Sequence, residues 1–265
     1  MTQDIVPSLL EIQELSRRFG GVLALDGVSL RVDWGETIGL IGPNGAGKTT
    51  LFNCISGILR PTGGAIRFGR AEHESLVGLS PDQITQCGVA RTFQNIRLFA
   101  GMSVLDNVVV GTHLRTHAGL WSAVLLTGEA RREERWARER ATELLQLVGL
   151  ADRLDDLAGG LPFGFQRRLE IARALATDPA LLLLDEPAAG LNAVEKQQLL
   201  ALIAQLQAKG LTTVLIEHDM QVVMPVSDRI IVLDYGKKIA DGPPEAIQSD
   251  ERVIAAYLGT AKPRR

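Results

Sequence analysis

Thr37-Ile38-Gly39-Leu40-Ile41-Gly42-Pro43-Asn44-Gly45-Ala46-Gly47-Lys48-Thr49-Thr50 is the stretch on which the reading of this chain turns. Thr37 to Ile41 carry no charge and read as a strand. Gly42 to Thr49 fit the phosphate-loop pattern, in the context that gives the pattern its meaning: a strand before it and a helix, expected from Gly47 to about Leu59, after it. The glycines let successive backbone N–H groups converge on an anion with no Cβ in the way. Lys48 then supplies a point charge for β- and γ-phosphates, the helix N-terminus adds its dipole, and the Thr49 hydroxyl can ligate Mg²⁺. Gly42, Asn44, Gly45, Gly47, Lys48, Thr49 and Thr50 are therefore expected to hold a nucleotide. At this point GTPase, kinase, motor and transporter all remain open.

Downstream, Leu181-Leu182-Leu183-Leu184-Asp185-Glu186 is an apolar strand ending in adjacent carboxylates, at the sheet edge where doubly wound folds bind ligands. Asp185 suits a Mg²⁺ partner and Glu186 a base for an attacking water, which points to hydrolysis rather than transfer. The all-apolar runs Ala180 to Leu184 and Thr213 to Ile216 are of the kind buried on both faces of a parallel sheet, and the helices between them imply βαβ crossovers. Further strands are expected at Val28 to Val32, Ala65 to Phe68 and Gly88 to Thr92. A mostly helical stretch, Met102 to Thr177, has Ala137, Ala141, Leu144, Leu145 and Val148 at helical spacing and reads as an inserted subdomain. A hairpin, Arg229 to Leu233 and Lys237 to Ala240, turns at Tyr235-Gly236 and leads to a C-terminal helix.

Composition narrows the class. The 265 residues suit one α/β core with an insert, and 46% hydrophobic with 22% charged residues is ordinary for a globular protein. A net charge of −3 argues against coating nucleic acid. The alternating charges between Arg131 and Arg140 read as a solvated helix face. Cys54 and Cys87 lack metal-ligand spacing and suit a reducing cytoplasm. No apolar run approaches the ~20 residues that cross a bilayer, and the start, MTQDIVPSLLEIQ, lacks the pattern of a signal peptide, so any membrane role is expected to be peripheral. The basic tail, Lys262 to Arg265, is expected to fray.

Gln94 in Arg91-Thr92-Phe93-Gln94, the segment Leu161-Pro162-Phe163-Gly164-Phe165-Gln166-Arg167-Arg168, and His218 in Ile216-Glu217-His218-Asp219 stand in the order and spacing of ATP-binding-cassette (ABC) ATPases, which the chain resembles from about Leu9 to Gly259. Val89 to Phe99 and Asp185 to Asn192 further resemble the ATP-binding subunits of branched-chain amino-acid importers. The resemblance implies that Phe19 stacks on adenine, that Gln94 links metal and water to transmembrane subunits, and that His218 contacts the γ-phosphate. Taken alone, Phe19 has a rival reading as a core aromatic. Phe163 and Gly164 fall in the signature loop, which in this family serves the nucleotide of a partner subunit. Here the loop departs from Leu-Ser-Gly-Gly-Gln: Pro162 replaces serine, Phe163 the first glycine and Phe165 the glutamine. Asn192 stands in the loop that crosses the dimer, and Asn192 to Glu195 also read as a capping box; the two roles are compatible.

The expected fold is α/β, a P-loop NTPase core of ABC-ATPase type with an antiparallel β portion and an inserted helical subdomain, all in one domain. Its core is placed at about residues 9–94 and 179–259 and the subdomain at about 95–178. ATP and Mg²⁺ are the implied ligands. The implied partners are a second ABC ATPase subunit, identical or homologous, integral membrane permease subunits reached through the surface around Gln94 to Asp106, and indirectly a substrate-binding protein. The implied place is the cytoplasmic face of the inner membrane, peripherally bound. An ABC exporter extracting lipid shares every catalytic residue. A DNA-repair or translation ABC ATPase would need a coiled-coil insert or a second cassette, and a GTPase would need Asn-Lys-x-Asp, which the sequence lacks.

Overall fold

A computed structural model describes residues 8–69, 74–112 and 128–258. The amino-terminal residues before Ser8, the basic tail and part of the predicted helical stretch, 113–127, lie outside the described residues.

Two sheets carry the fold. β1 (Ser8–Phe19), β2 (Val22–Asp33), β4 (Gly63–Phe68) and β5 (Glu74–Ser75) form an antiparallel sheet in the order β2-β1-β4-β5. β3 (Thr37–Ile41), β6 (Val89–Arg91), β7 (Leu181–Asp185), β8 (Thr212–Ile216), β9 (Arg229–Asp234) and β10 (Lys237–Gly242) form the second, in the order β10-β9-β3-β8-β7-β6. In the second sheet every neighbour is parallel except β10, which returns antiparallel on β9. The return turn holds Tyr235 at φ 43° and Gly236 at φ 79°, as the hairpin reading anticipated.

Around the sheets lie α1 (Lys48–Ile55), α2 (Pro81–Gln86), α3 (Val104–Thr112), α4 (Gly128–Leu147), α5 (Phe163–Leu175), α6 (Ala193–Ala208), α7 (Met220–Val226), α8 (Pro244–Gln248) and α9 (Glu251–Leu258). β7 shows why its sequence is apolar throughout. Leu182 and Leu184 join one core with α3, α4, α5 and α6, whereas Leu181 and Leu183 join another with α1 and the antiparallel sheet. Successive side chains of a strand alternate faces, so a strand sandwiched between two cores has no polar side to show. On α4 the residues Ala137, Ala141, Leu144 and Leu145, and Val148 just past its end, are buried as their spacing required. Arg138 pairs with Glu134 one turn earlier on the solvated face.

Two expectations are corrected in detail. The helix after the P-loop ends at Ile55 rather than Leu59, because Gly57 turns left-handed at φ 73° and its N–H tightens back onto the carbonyl of Cys54. The first strand of the antiparallel sheet, β1, has twelve residues and is not among the strands expected from the sequence. Its pairing with β2 is irregular between Ile12 and Leu15, where Glu14 sits at φ 46°, and this breaks the alternation that marks a strand.

Candidate active site

β3 delivers the chain into the P-loop at the carboxyl edge of the parallel sheet, and the loop's backbone requires glycine. Gly47 is the N-cap of α1 at φ 104°, and a Cβ there would stand 2.6 Å from the carbonyl oxygen of Ala24. Lys48, the first residue of the helix, is buried. Its Nζ donates to the carbonyl oxygens of Gly42 at 2.6 Å and Pro43 at 3.0 Å, so the ammonium lies under the loop it follows. Burial pushes the Lys48 pKa down, and Glu186 and Asp185 oppose that shift by favouring the cation.

The neighbouring parallel strands β7 and β8 bring the acidic residues to the same edge. Asp185, the last residue of β7, is buried, with Arg91 Nη2 2.7 Å from its Oδ2. Glu186 leaves the strand at φ 47°, a left-handed conformation that costs a non-glycine residue roughly 1–2 kcal/mol. Its N–H donates to the carbonyl of Ile216 on β8, which holds the turn. Gln94, three residues beyond β6, donates from Nε2 to Glu186 Oε2 at 2.9 Å. Lys48, Asp185, Glu186 and Gln94, predicted from segments far apart in sequence, therefore meet in one cluster.

His218 follows β8 and is exposed over 63% of its side chain, with Nδ1 3.9 Å from Glu217 Oε2. Glu217 itself is buried: desolvation raises its pKa, and the N–H groups of Ala188 and His218 on its two oxygens pull the other way. Phe19 is not a core residue. It ends β1 with 43% of its surface exposed, and the Arg17 guanidinium lies 4.6 Å from its ring centroid.

The signature segment opens α5, where Pro162 is the N-cap and Phe163 is exposed. Gly164 is buried against the Glu195 carboxylate, which a Cβ would strike. That carboxylate belongs to the capping box of α6: Glu195 N–H donates to Asn192 Oδ1 and Asn192 N–H to Glu195 Oε2, both at 3.0 Å. Phe165, which stands in the place of the signature glutamine, is half-buried between the guanidinium groups of Arg153 and Arg168, 4.8 and 4.5 Å away.

Two contacts had no local sequence signal. The Tyr257 hydroxyl on α9 accepts a hydrogen bond from the Gly42 N–H at 2.8 Å, tying the last described helix to the first residue of the P-loop. Burial raises the phenol's pKa against the lowering effect of that N–H. The other is the bond from Arg91 Nη2 to Asp185 Oδ2, at 2.7 Å across 94 positions of the chain.

A family model described as ABC transporter matches residues 25–189, which takes in the P-loop, Gln94, the signature segment and both carboxylates. The chain belongs to the ABC transporter ATP-binding family. A second model, described as branched-chain amino acid ATP-binding cassette transporter, matches residues 237–263 of this ABC ATPase, the part that contains α8, α9 and Tyr257. Among its curated relatives, the high-affinity branched-chain amino acid transport ATP-binding protein BraF of Pseudomonas aeruginosa is 47% identical over 254 residues, covering 96% of this chain and 98% of the relative. The protein of the same description, LivG, from Escherichia coli K12 is 48% identical over the same shares. Among solved structures, a nucleotide-free ATP-binding cassette from an ABC transporter superposes with a TM-score of 0.81 at 32% identity, covering 95% of this chain and 99% of that one. A dimeric cassette in a post-hydrolysis state, bound to ADP and Pi, gives 0.74 at 25% identity over 89% and 99%. As an ABC ATPase the chain binds and hydrolyses ATP, on the α/β fold with antiparallel sheet and helical portion described above. Among the described residues, no helix is long and apolar enough to cross a membrane.

Proposed function

We propose that this ABC ATPase energises the import of branched-chain amino acids. It would act with a second ATPase subunit at the cytoplasmic face of the inner membrane, peripherally bound to integral permease subunits that are supplied by a substrate-binding protein. The whole chain is read as one domain, with a core at about 9–94 and 179–259 and a helical subdomain at about 95–178. The likeness to BraF and LivG over nearly the full length supports the solute class. The single contact that carries the mechanism is the 2.9 Å hydrogen bond from Gln94 to Glu186, because it joins the candidate base to the loop that leads into the helical part.

The Thr49 hydroxyl, the Asp185 carboxylate and the Gln94 amide oxygen would supply hard oxygen donors with a single carboxylate. Among the described residues there is no cluster of three or more His, Cys, Asp or Glu side chains able to hold a metal. Such a set fits Mg²⁺, which keeps waters and takes substrate phosphates as ligands, and does not resemble an all-protein cage. When bound, Mg²⁺ supplies neutralisation of phosphate charge.

The chain's own residues divide the remaining tasks. Phe19 presents an exposed ring to the adenine. The N–H groups of Gly45, Gly47, Lys48, Thr49 and Thr50, with Gly42 and Asn44 shaping the loop, cradle the phosphates. Lys48 exchanges its contacts to the Gly42 and Pro43 carbonyls for phosphate oxygens. Glu186 takes the proton of the attacking water while Gln94, bound to its Oε2, fixes the carboxylate's direction. His218 contacts the γ-phosphate from the end of β8. Phe163 and Gly164, at the N-terminus of α5, serve the nucleotide of the second subunit, whose own signature serves this P-loop.

Purification from detergent-solubilised membranes tests the reading. Amino-acid permeases should accompany the chain, and vesicles containing the assembly should take up leucine only with ATP inside. Co-purified lipid-export subunits, or DNA or ribosomes, would overturn it.

A further inference from the structure

Arg91 is the last residue of β6 and stands three positions before Gln94. Its guanidinium is nearly removed from solvent, at 6% side-chain exposure against 5% for Asp185. Nη2 donates to Asp185 Oδ2 at 2.7 Å, and Nη1 donates to Asn53 Oδ1 at 2.7 Å and to Ser56 Oγ at 2.9 Å. The guanidinium carbon lies 5.5 Å from the centroid of the Phe52 ring and 5.3 Å from that of Phe93. Asn53 lies on α1, the helix that the P-loop opens, and Ser56 caps its end, while Asp185 ends β7. One buried cation therefore joins the phosphate-binding helix, the acidic end of β7 and the strand that feeds Gln94.

A buried carboxylate without a partner is costly, and its direction is fixed only as well as its hydrogen bonds fix it. Among the described residues the hydrogen bonds to the side chain of Asp185 come from Arg91 alone, on Oδ2, which leaves Oδ1 for a cation. We propose that Arg91 is a positioning residue for the nucleotide's divalent cation: by holding Oδ2 of Asp185 against α1, it aims Oδ1 at the place where Mg²⁺ and the phosphates meet. This rests on the reading of Asp185 as a Mg²⁺ partner. Arg91 touches neither water nor nucleotide in this role and acts through Asp185. Partners of this kind, once removed, usually weaken metal affinity by about 10- to 100-fold.

The test is equilibrium binding of a fluorescent ADP to the full chain, titrated with Mg²⁺ and separately in EDTA, with thermal unfolding alongside. Arg91→Gln should raise the Mg²⁺ concentration needed for half-maximal tightening of ADP by about tenfold or more, and leave affinity in EDTA within about threefold of the parent. Arg91→Lys, which keeps the charge next to Asp185, should recover part of that loss. Should Arg91→Gln not fold, Arg91→Lys and the pair Asn53→Ala with Ser56→Ala remain, each loosening the guanidinium's anchorage; both should shift the Mg²⁺ requirement in the same direction. Equal weakening with and without Mg²⁺, or a lowered melting temperature with the Mg²⁺ requirement unchanged, would assign Arg91 to simple packing and overturn the inference. Asp185→Asn separates the two levels. If it leaves the Mg²⁺ requirement untouched, the metal role of Asp185 fails; if it abolishes the Mg²⁺ effect while all the Arg91 and Asn53 variants do not change it, only the role of Arg91 fails.

Discussion

Arg167 Nη2 donates to the main-chain carbonyl oxygen of Gln94 at 2.8 Å, so the signature helix α5 holds the backbone of the very residue whose side chain reaches Glu186. The same guanidinium donates from Nη1 to the carbonyl of Phe93 at 2.7 Å and to Glu170 Oε2 at 2.8 Å. Glu170 in turn accepts the N–H groups of Phe93 and Arg97. The loop around Gln94 is thus clamped on both its donors and its acceptors by two side chains one helical turn apart, a short mechanical path between the helical part and the candidate base.

The clamp should be expensive to half-remove. Arg167 and Glu170 are exposed over only 1% and 2% of their side chains, so Arg167→Met would leave a buried carboxylate without its cation, at a cost of about 3–5 kcal/mol. Arg167→Met with Glu170→Leu should cost less than the single change, since the buried carboxylate goes together with its cation. Urea unfolding of the three proteins measures this, and a single variant within about 1 kcal/mol of the parent would contradict the clamp.

Glu186→Gln should retain ATP binding and lower turnover by about 10²- to 10⁴-fold, the usual worth of a positioned base. The amide is isosteric and can keep the contact with Gln94, so the fold should not change and a nucleotide-bound dimer should accumulate in gel filtration. Turnover within a factor of two of the parent would remove Glu186 from the base's role.

Lys48→Ala should abolish or strongly weaken nucleotide binding. It also deletes the hydrogen bonds beneath the loop to Gly42 and Pro43, each worth about 1 kcal/mol or somewhat more for a charged donor, so a modest fall in melting temperature should accompany the lost binding. Calorimetric titration with ATP, next to a thermal melt, separates the two effects; parent-like binding would sink the assignment of the loop.

A fourth expectation concerns Gly164. An alanine there must push aside the Glu195 side chain, which then gives up its bond to the Asn192 N–H, a loss of roughly 0.5–2 kcal/mol for a helix cap. Glu195→Ala removes both that bond and the obstacle, so adding Gly164→Ala to it should cost markedly less than Gly164→Ala alone. A double-mutant cycle by thermal unfolding reads this coupling, and strict additivity would show that the two residues do not share the space.

What the sequence disclosed followed from how local each signal is. The P-loop, the strand ahead of it and the Asp185-Glu186 pair are contiguous motifs whose chemistry is set by neighbours in the chain, and the hairpin at Tyr235-Gly236 is fixed by its own turn residues. The capping box at Asn192 and Glu195 was equally legible, whereas its contact with Gly164, thirty or so residues away, depends on how α5 and α6 pack. Arg91 and Asp185 are 94 positions apart, and no spacing rule connects them. The short helix α2 went unread although Ser80, Pro81 and Gln83 carry a capping box and a proline at its start, because six residues are too few for helical periodicity to show.

The hydrogen bond between Gly42 and Tyr257 spans 215 positions of the chain. During synthesis at about 5–20 residues per second, roughly 10–40 seconds separate the making of these two residues. β3, which carries the P-loop, gains its two sheet neighbours only when β8 and β9 have been made, and the Gly42 N–H meets its phenol later still, so the loop is assembled from segments that leave the ribosome far apart in time.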